Sequence, residues 1–588
     1  MKKAIWIAVA CVMAFSLIFA SCGGDEDSED EGGKEVESQY RDPEEPKYGG
    51  TYYELTMGDP QGFDPREIMN LMCPTIWITH DELLTGDWMK GPAGTGETDW
   101  ALGFLGQISL LTGKLVDSWE LPDNETIVYH LMKGVHFSYD PNNANEAAKL
   151  VNGREMTAED VAWSAKTEWE AEGSNFQVFF KPEQWLTEFN VIDKYTVEFK
   201  TPPTAQGTNL LESGERLSIF APEVTEKWGD QNAIERSVGI GAWILKDHVP
   251  GSTITYTRNP NYHAFDPAHP ENQLPYLDTY KQMIIPDAST QMASFRTGKI
   301  DMRSGITWED FDILIEQAPD LVYVDSFGWG YVPCGRMDKD LPFNDLRVRQ
   351  AMNMAVNQQE LVDDYYQGNA QLMGWPFLDI PAHKPFYTPL EDMPKICQEI
   401  YGYHPDKARQ LLADAGYPDG FKTTIACVQA HTDMLAIIKE YLIEVGIDME
   451  LQVLEGSVFN GVNRGRTHDE MIYKETKMAS MPWHMFEVRD DNADGVAFYE
   501  HPKTRAVYDL IGLNLGKNDD VWISALKDIV PFMIEEAWGI YLPVPKTYTV
   551  WWPWMQNFRG EISIGNFTPA THTRYIWIDE EMKAAMGY

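Results

Sequence analysis

The sequence predicts an α/β fold: one large folded body behind a processed, acidic N-terminus. Three observations carry this. Helical and strand periodicities alternate through the second half of the chain. Apolar residues make up 43% and charged residues 23%, the balance of a soluble globular protein. No fixed-period repeat runs through the chain, which excludes solenoids and propellers. At 588 residues it fills several ordinary domains, or two or three lobes around separate cores.

The elements justify themselves in order. Ile127, Tyr129 and Leu131 alternate with Val128, His130 and Met132, and Tyr195, Val197 and Phe199 alternate with Thr196, Glu198 and Lys200. Both patterns predict half-buried strands. Thr157-Ala158-Glu159-Asp160 predicts a capping box opening a helix through Val161 and Trp163. Arg258-Asn259-Pro260-Asn261 reads as a turn after a strand. Asp345 caps a helix whose Val348, Ala351, Met352 and Ala355 form one apolar stripe. Arg347 and Arg349 are expected off that stripe, solvated or ion-paired. Pro405 suits a first helical position, Ala408, Leu411, Leu412 and Ala415 repeat the spacing, and Gly416 ends it. Ile438, Tyr441, Leu442 and Val445 form a further helix before Gly446. Ile447, Met449, Leu451 and Val453 then form a strand.

The N-terminus reads as processing signal. Lys2 and Lys3 precede an apolar stretch from Ala4 to Ala20, followed by Phe19-Ala20-Ser21-Cys22-Gly23. Small residues before a Cys resemble a bacterial lipobox, in which Cys22 is acylated, although Phe19 stands where Leu is usual. The alternatives are an ordinary signal peptide or a short membrane helix, and no later stretch reaches about 18 unbroken apolar residues. Residues 25–48 hold eleven acids and almost no large apolar side chain, which predicts a disordered, self-repelling tether.

Charge and cysteine content narrow the function classes. With 47 Lys plus Arg against 91 Asp plus Glu, and no basic run, the chain lacks the face that nucleic-acid binding needs. Beyond Cys11 and Cys22 remain Cys73, Cys334, Cys397 and Cys427, too scattered for a disulfide framework. An oxidising compartment allows one bridge, which the spacing does not pair.

Several blocks, in this order, resemble the family 5 extracellular solute-binding proteins, the dipeptide and oligopeptide binders of ABC importers. They are Gly49-Gly50-Thr51 leading to Gly62-Phe63-Asp64-Pro65, then Leu115 to Phe137 with Asn152 to Ser164, Val238 to His263, Ile284 to Met302, Pro342 to Val362, His404 to Ile425 and Lys439 to Leu451. Trp551 to Gly560 extends the likeness toward the end of the chain. The resemblance implies a two-lobed periplasmic-binding-protein-like fold of type II with an extra subdomain in the N-terminal lobe. It implies a signal peptide at 1–22, an acidic tether at 23–48 and an N-terminal lobe at 49–330 with a subdomain inserted at about 76–190. A C-terminal lobe at 331–540 and a return to the first lobe at 541–588 follow, with crossings near 325–340 and 530–545.

No catalytic constellation stands in the sequence: H-E-x-x-H, G-x-S-x-G, a Walker loop and C-x-x-C are all missing. His130 and His136 lie inside a family block and read as structural. The abundant carboxylates leave an acid/base pair open. Twenty Trp and 27 Tyr, some clustered at Trp483, Trp538, Tyr541, Trp551, Trp552 and Trp554, suit either a ligand cleft or a packed core. Peptide binders of the family often carry W-x-x-D-x-x-D-P, with an Asp pairing the peptide's α-amino group. Here Trp483 is followed by Asp490, Asp491 and Asp494 at a different spacing, and these four are the expected ligand-binding residues. Asp490-x-Asn492-x-Asp494-Gly495 imitates half a calcium loop, but Glu500 closes it at the eleventh position where the twelfth is needed. No metal or cofactor is expected.

The function implied is that of a monomeric, lipid-anchored, extracytoplasmic receptor. It captures a peptide or similar small polar solute and delivers it to an ABC permease with its ATPase subunits. The alternatives are a secreted lipid-anchored hydrolase, or the same receptor class with an oligosaccharide or metal-chelate ligand.

Overall fold

The computed structural model describes residues 45–588 except 57, 65, 67–73, 102–106, 143, 173, 175, 178–179, 181, 477–494, 497 and 566–569. Residues 42–588 form one compact unit. Four sheets of four strands organise it. In the first, the order is Thr51–Thr56, Thr279–Ile284, Thr253–Arg258 and Trp243–Val249, with the first pair parallel and the others antiparallel. Tyr52, Tyr256 and Tyr280 stack through its inner face.

A second sheet is built on one long strand, Val544–Trp551, which pairs antiparallel with Met302–Thr307, Val322–Phe327 and the short Ala370–Gln371. A third runs Gly330–Gly335, Met471–Thr476, Phe421–Val428 and Ile447–Leu454. Its parallel pairs are joined by helices, one of which the sequence spacing predicts. That one is Thr432–Glu444, whose Leu435, Ile438 and Leu442 are buried; Gly456–Arg464 is the other. The fourth, antiparallel throughout, runs Val116–Glu120, Thr126–Leu131, Thr196–Lys200 and Glu188–Asp193. It extends to Lys200, past the bound of 190 expected for an inserted unit, because Val197 and Phe199 complete its buried face.

Local signals act as the chemistry requires. The Asp160 carboxylate accepts from the Thr157 N–H at 2.8 Å, closing the capping box of helix Ala158–Glu170. Asp345 caps helix Leu346–Met354 through the Arg347 N–H at 2.9 Å. Arg349 takes the second of its two expected states, the ion pair. It is buried rather than solvated, donating to the carbonyls of Glu536 and Phe343 at 2.9 Å each and pairing with the Glu536 carboxylate at 3.2 Å. Helix Asp519–Glu536 covers the face that the stripe leaves open.

The end of the acidic segment is also docked. Pro46 is buried, Lys47 pairs with Asp579 at 3.2 Å and the Tyr48 hydroxyl donates to the Gln273 carbonyl at 2.7 Å. Packed chain therefore begins before Gly49. Cys334, Cys397 and Cys427 are buried and form no disulfide with one another, and Cys73 lies outside the described residues.

Helix Pro502–Asn514, which follows the third sheet's strands in the chain, packs on helix Gln206–Glu215 beside the fourth. Two glycines allow the approach: a Cβ at Gly207 would meet the Leu515 side chain at 2.5 Å, and one at Gly512 the Thr204 carbonyl at 1.9 Å. The Gln184 side chain donates to the Tyr508 hydroxyl at 3.0 Å across the same seam.

His383 is fully buried between Phe377 and Phe386, and burial pushes its imidazole down to about 3. Unfolded, it takes a proton near 6.5. Below that pH the unfolded chain gains a proton that the folded chain does not. Stability present above pH 6.5 is therefore lost as pH falls toward the folded value. His383→Gln should be less stable than the parent at pH 7, with the gap narrowing by about 2 kcal/mol at pH 5. Denaturant midpoints at the two pH values check this; an unchanged gap counts against it.

Candidate functional site

The chain crosses from the second sheet to the third at Gly328-Trp329, between strands Val322–Phe327 and Gly330–Gly335. It crosses back just before strand Val544–Trp551. At this junction lies a cavity of about 520 Å³, within the usual range of small-molecule sites. Its floor is one face of the second sheet. Thr547 and Thr549 are two apart and so point the same way. Thr547 is opposite Ser326 in register, their hydroxyl oxygens 3.4 Å apart. Ser304 and Ser563 add two further hydroxyls. Phe327, Trp329 and Tyr331 supply the aromatic wall.

No charged side chain lines the cavity among the described residues. Lys546 and Asp325, on the other face of the same strands, pair at 2.9 Å. Behind Tyr331 stand His431 and Tyr473, with ring centroids 4.9–5.3 Å apart around the triangle. Burial, with Glu475 nearby, pushes the Tyr331 hydroxyl up to about 12, and burial lowers the His431 pKa. The site is therefore electrically neutral and rich in hydroxyls, which both donate and accept hydrogen bonds. It suits amide-like polar groups flanked by apolar surface, and it holds no nucleophile–base pair among the described residues.

Of the residues expected from the sequence, Cys22, Trp483, Asp490, Asp491 and Asp494 lie outside the described residues. For the aromatic cluster the structure selects the packed core over the ligand cleft. Trp538, Tyr541, Trp551, Trp552 and Trp554 are all buried core, none more than 3% exposed. Trp552 and Trp554 stack on each other and donate to the Phe295 carbonyl and the Asp301 carboxylate. Tyr541 stacks on Trp375. The cleft aromatics are instead Phe327, Trp329 and Tyr331, which the sequence reading missed. Their signal was a strand pattern interrupted by Gly328 and Gly330 around a single Trp.

Comparisons with known proteins bear on the family and the fold. The model of the bacterial extracellular solute-binding proteins, family 5 (middle) matches residues 111–498. The chain belongs to this family. Heme-binding protein A of Haemophilus influenzae is 26% identical over 324 residues, 53% of this chain and 54% of that protein. The chain thus spans about half the length of that relative. Di/tripeptide-binding protein 1 of Pseudomonas aeruginosa is 23% identical over 440 residues, covering 71% of this chain and 74% of the relative. Among solved structures, the ABC transporter-associated periplasmic binding protein DppA from Helicobacter pylori, in complex with peptide STSA, superposes with a TM-score of 0.67 at 20% identity. It covers 91% of this chain and 99% of its own. The α/β fold is that of the two-lobed family 5 binding proteins.

Proposed function

We propose that the protein is the substrate-binding lipoprotein of an ABC importer, which holds a peptide or similar small polar solute between two lobes and hands it to the permease. The observation that carries this reading is the neutral, hydroxyl-lined cavity at the junction of the second and third sheets. The lobes are assigned to 49–330 and 331–540, with 541–588 returning to the first. Asp490, Asp491 and Asp494 are assigned to a cationic group of the ligand. The leading end of their segment is held beside the cavity wall, and the trailing end on the strand that carries it. Thr476 lies opposite Gly330 in register, next to Trp329 and Tyr331, and the Gly495 carbonyl accepts from the buried Lys474 ammonium at 3.2 Å.

Native mass spectrometry of gently isolated protein should find one small molecule bound per chain. Calorimetry with that molecule should give reversible 1:1 binding that Trp329→Ala weakens. Steady formation of product would instead favour a hydrolase. Acylation is assigned to Cys22, so Cys22→Ser should move the protein from the membrane fraction to the soluble one. A variant still membrane-bound after washing would sink that assignment.

A further inference from the structure

A second cavity, of about 350 Å³, shares no lining residue with the first. Its wall includes Lys114 and Arg574, which belong to a buried charge cluster. The Lys114 ammonium pairs with Asp81 at 2.9 Å and Glu82 at 2.6 Å, and the Tyr262 hydroxyl donates to Asp81 at 2.9 Å. Arg574 comes last to this carboxylate: among the described residues its side chain donates one hydrogen bond, from an N–H to Asp81 at 3.4 Å. The guanidinium has five N–H donors, its side chain is 7% exposed, and it lines the cavity. Most of its donors thus have only the cavity to serve. Two further lining residues hold buried polar atoms without a partner, Thr85 Oγ1 and His263 Nδ1. Burial raises the pKa of Glu82 against the lowering pull of Lys114, and the one acid that lines the cavity among the described residues, Asp87, has its carboxylate engaged by the Met89 N–H at 3.0 Å.

The mouth of the cavity has the opposite character. Phe265 lines it while 55% exposed, beside the half-buried Met132. An under-used guanidinium at the base and an exposed aromatic at the rim form an amphipathic receptor. We infer that this cavity is a second ligand site, for a small organic anion whose acid group meets Arg574 and whose apolar body rests on Phe265. Charge-assisted hydrogen bonds in a buried setting favour the anion over a neutral isostere. The apolar rim favours it over an inorganic ion. The inference stands apart from the proposed transport function.

Calorimetry on the full chain with 3-phenylpropionate, 3-phenylpropionamide and inorganic phosphate tests it. The carboxylate should bind 1:1, and the amide and phosphate each at least about tenfold more weakly. Phe265→Ala, at an exposed position, should weaken the carboxylate by about three- to tenfold with an unchanged melting temperature. Trp329→Ala, in the first cavity, should leave it unaltered. The inference is overturned by equal binding of the amide, by parent-like binding in Phe265→Ala, by a loss that follows Trp329→Ala instead, or by no saturable binding up to about 10 mM, a concentration at which only negligible affinity goes undetected.

Discussion

Asp81→Ala should destabilise the protein by about 3–5 kcal/mol, the range for stranding buried partners of an ion pair. Asp81 is 1% exposed and accepts from Lys114, Arg574 and Tyr262. Burial opposes its charge, yet the two cations beside it hold its carboxyl well below the usual carboxylate range. Removing it leaves Lys114 with Glu82 alone, and leaves Arg574 and the Tyr262 hydroxyl without the acceptor they share. Urea denaturation at pH 7 checks this. A loss below about 1 kcal/mol, the scale of an exposed pair, would mean that water enters the cluster.

The second large effect concerns ligand affinity. At least one of Asp490→Asn, Asp491→Asn and Asp494→Asn should weaken binding of the co-purified ligand by roughly two to four decades. That is the equivalent of about 3–5 kcal/mol for one half of a pair in a partly dry cleft. An exposed pair would cost at most about 1 kcal/mol. Calorimetry on the three separate variants distinguishes the two cases. If all three bind within a few-fold of the parent, the ligand is chosen elsewhere, and the hydroxyls of Ser326, Thr547 and Thr549 become the first place to look.

What was legible in the sequence was local. Thr157 with Asp160, Asp345 before its stripe, and Gly416 after Ala415 each act within one turn of their own helix, so spacing suffices to read them. The strand at Thr196–Lys200 shows its buried face by alternation alone. For Arg349 the spacing left solvation and ion pairing open, because the partner that decides it, Glu536, is 187 residues away. The aromatics from Trp538 to Trp554 were ambiguous for a related reason. Only Trp551 lies in strand Val544–Trp551, and the rings are buried by partners distant in the chain, such as Trp375 against Tyr541 and Phe295 beside Trp552. The cavity was least legible of all. Its walls are drawn from Ser304, Phe327 to Tyr331, Thr547 to Thr549 and Ser563, and only the crossing of two sheets brings these together. The family likeness located the fold without locating this floor.

The seam between helices Pro502–Asn514 and Gln206–Glu215 bears on how the cleft can open. Backbone meets side chain there with no room for a Cβ at Gly207 or Gly512, so it is a fitted joint and cannot slide by small steps. Drawing the third sheet away from the fourth must either break that joint at once, uncovering Leu515 and stranding the Gln184–Tyr508 hydrogen bond, or leave helix Pro502–Asn514 behind. On the two-lobe reading proposed above, the cleft would open as a click rather than a drift, past a threshold set by a contact that the ligand does not touch.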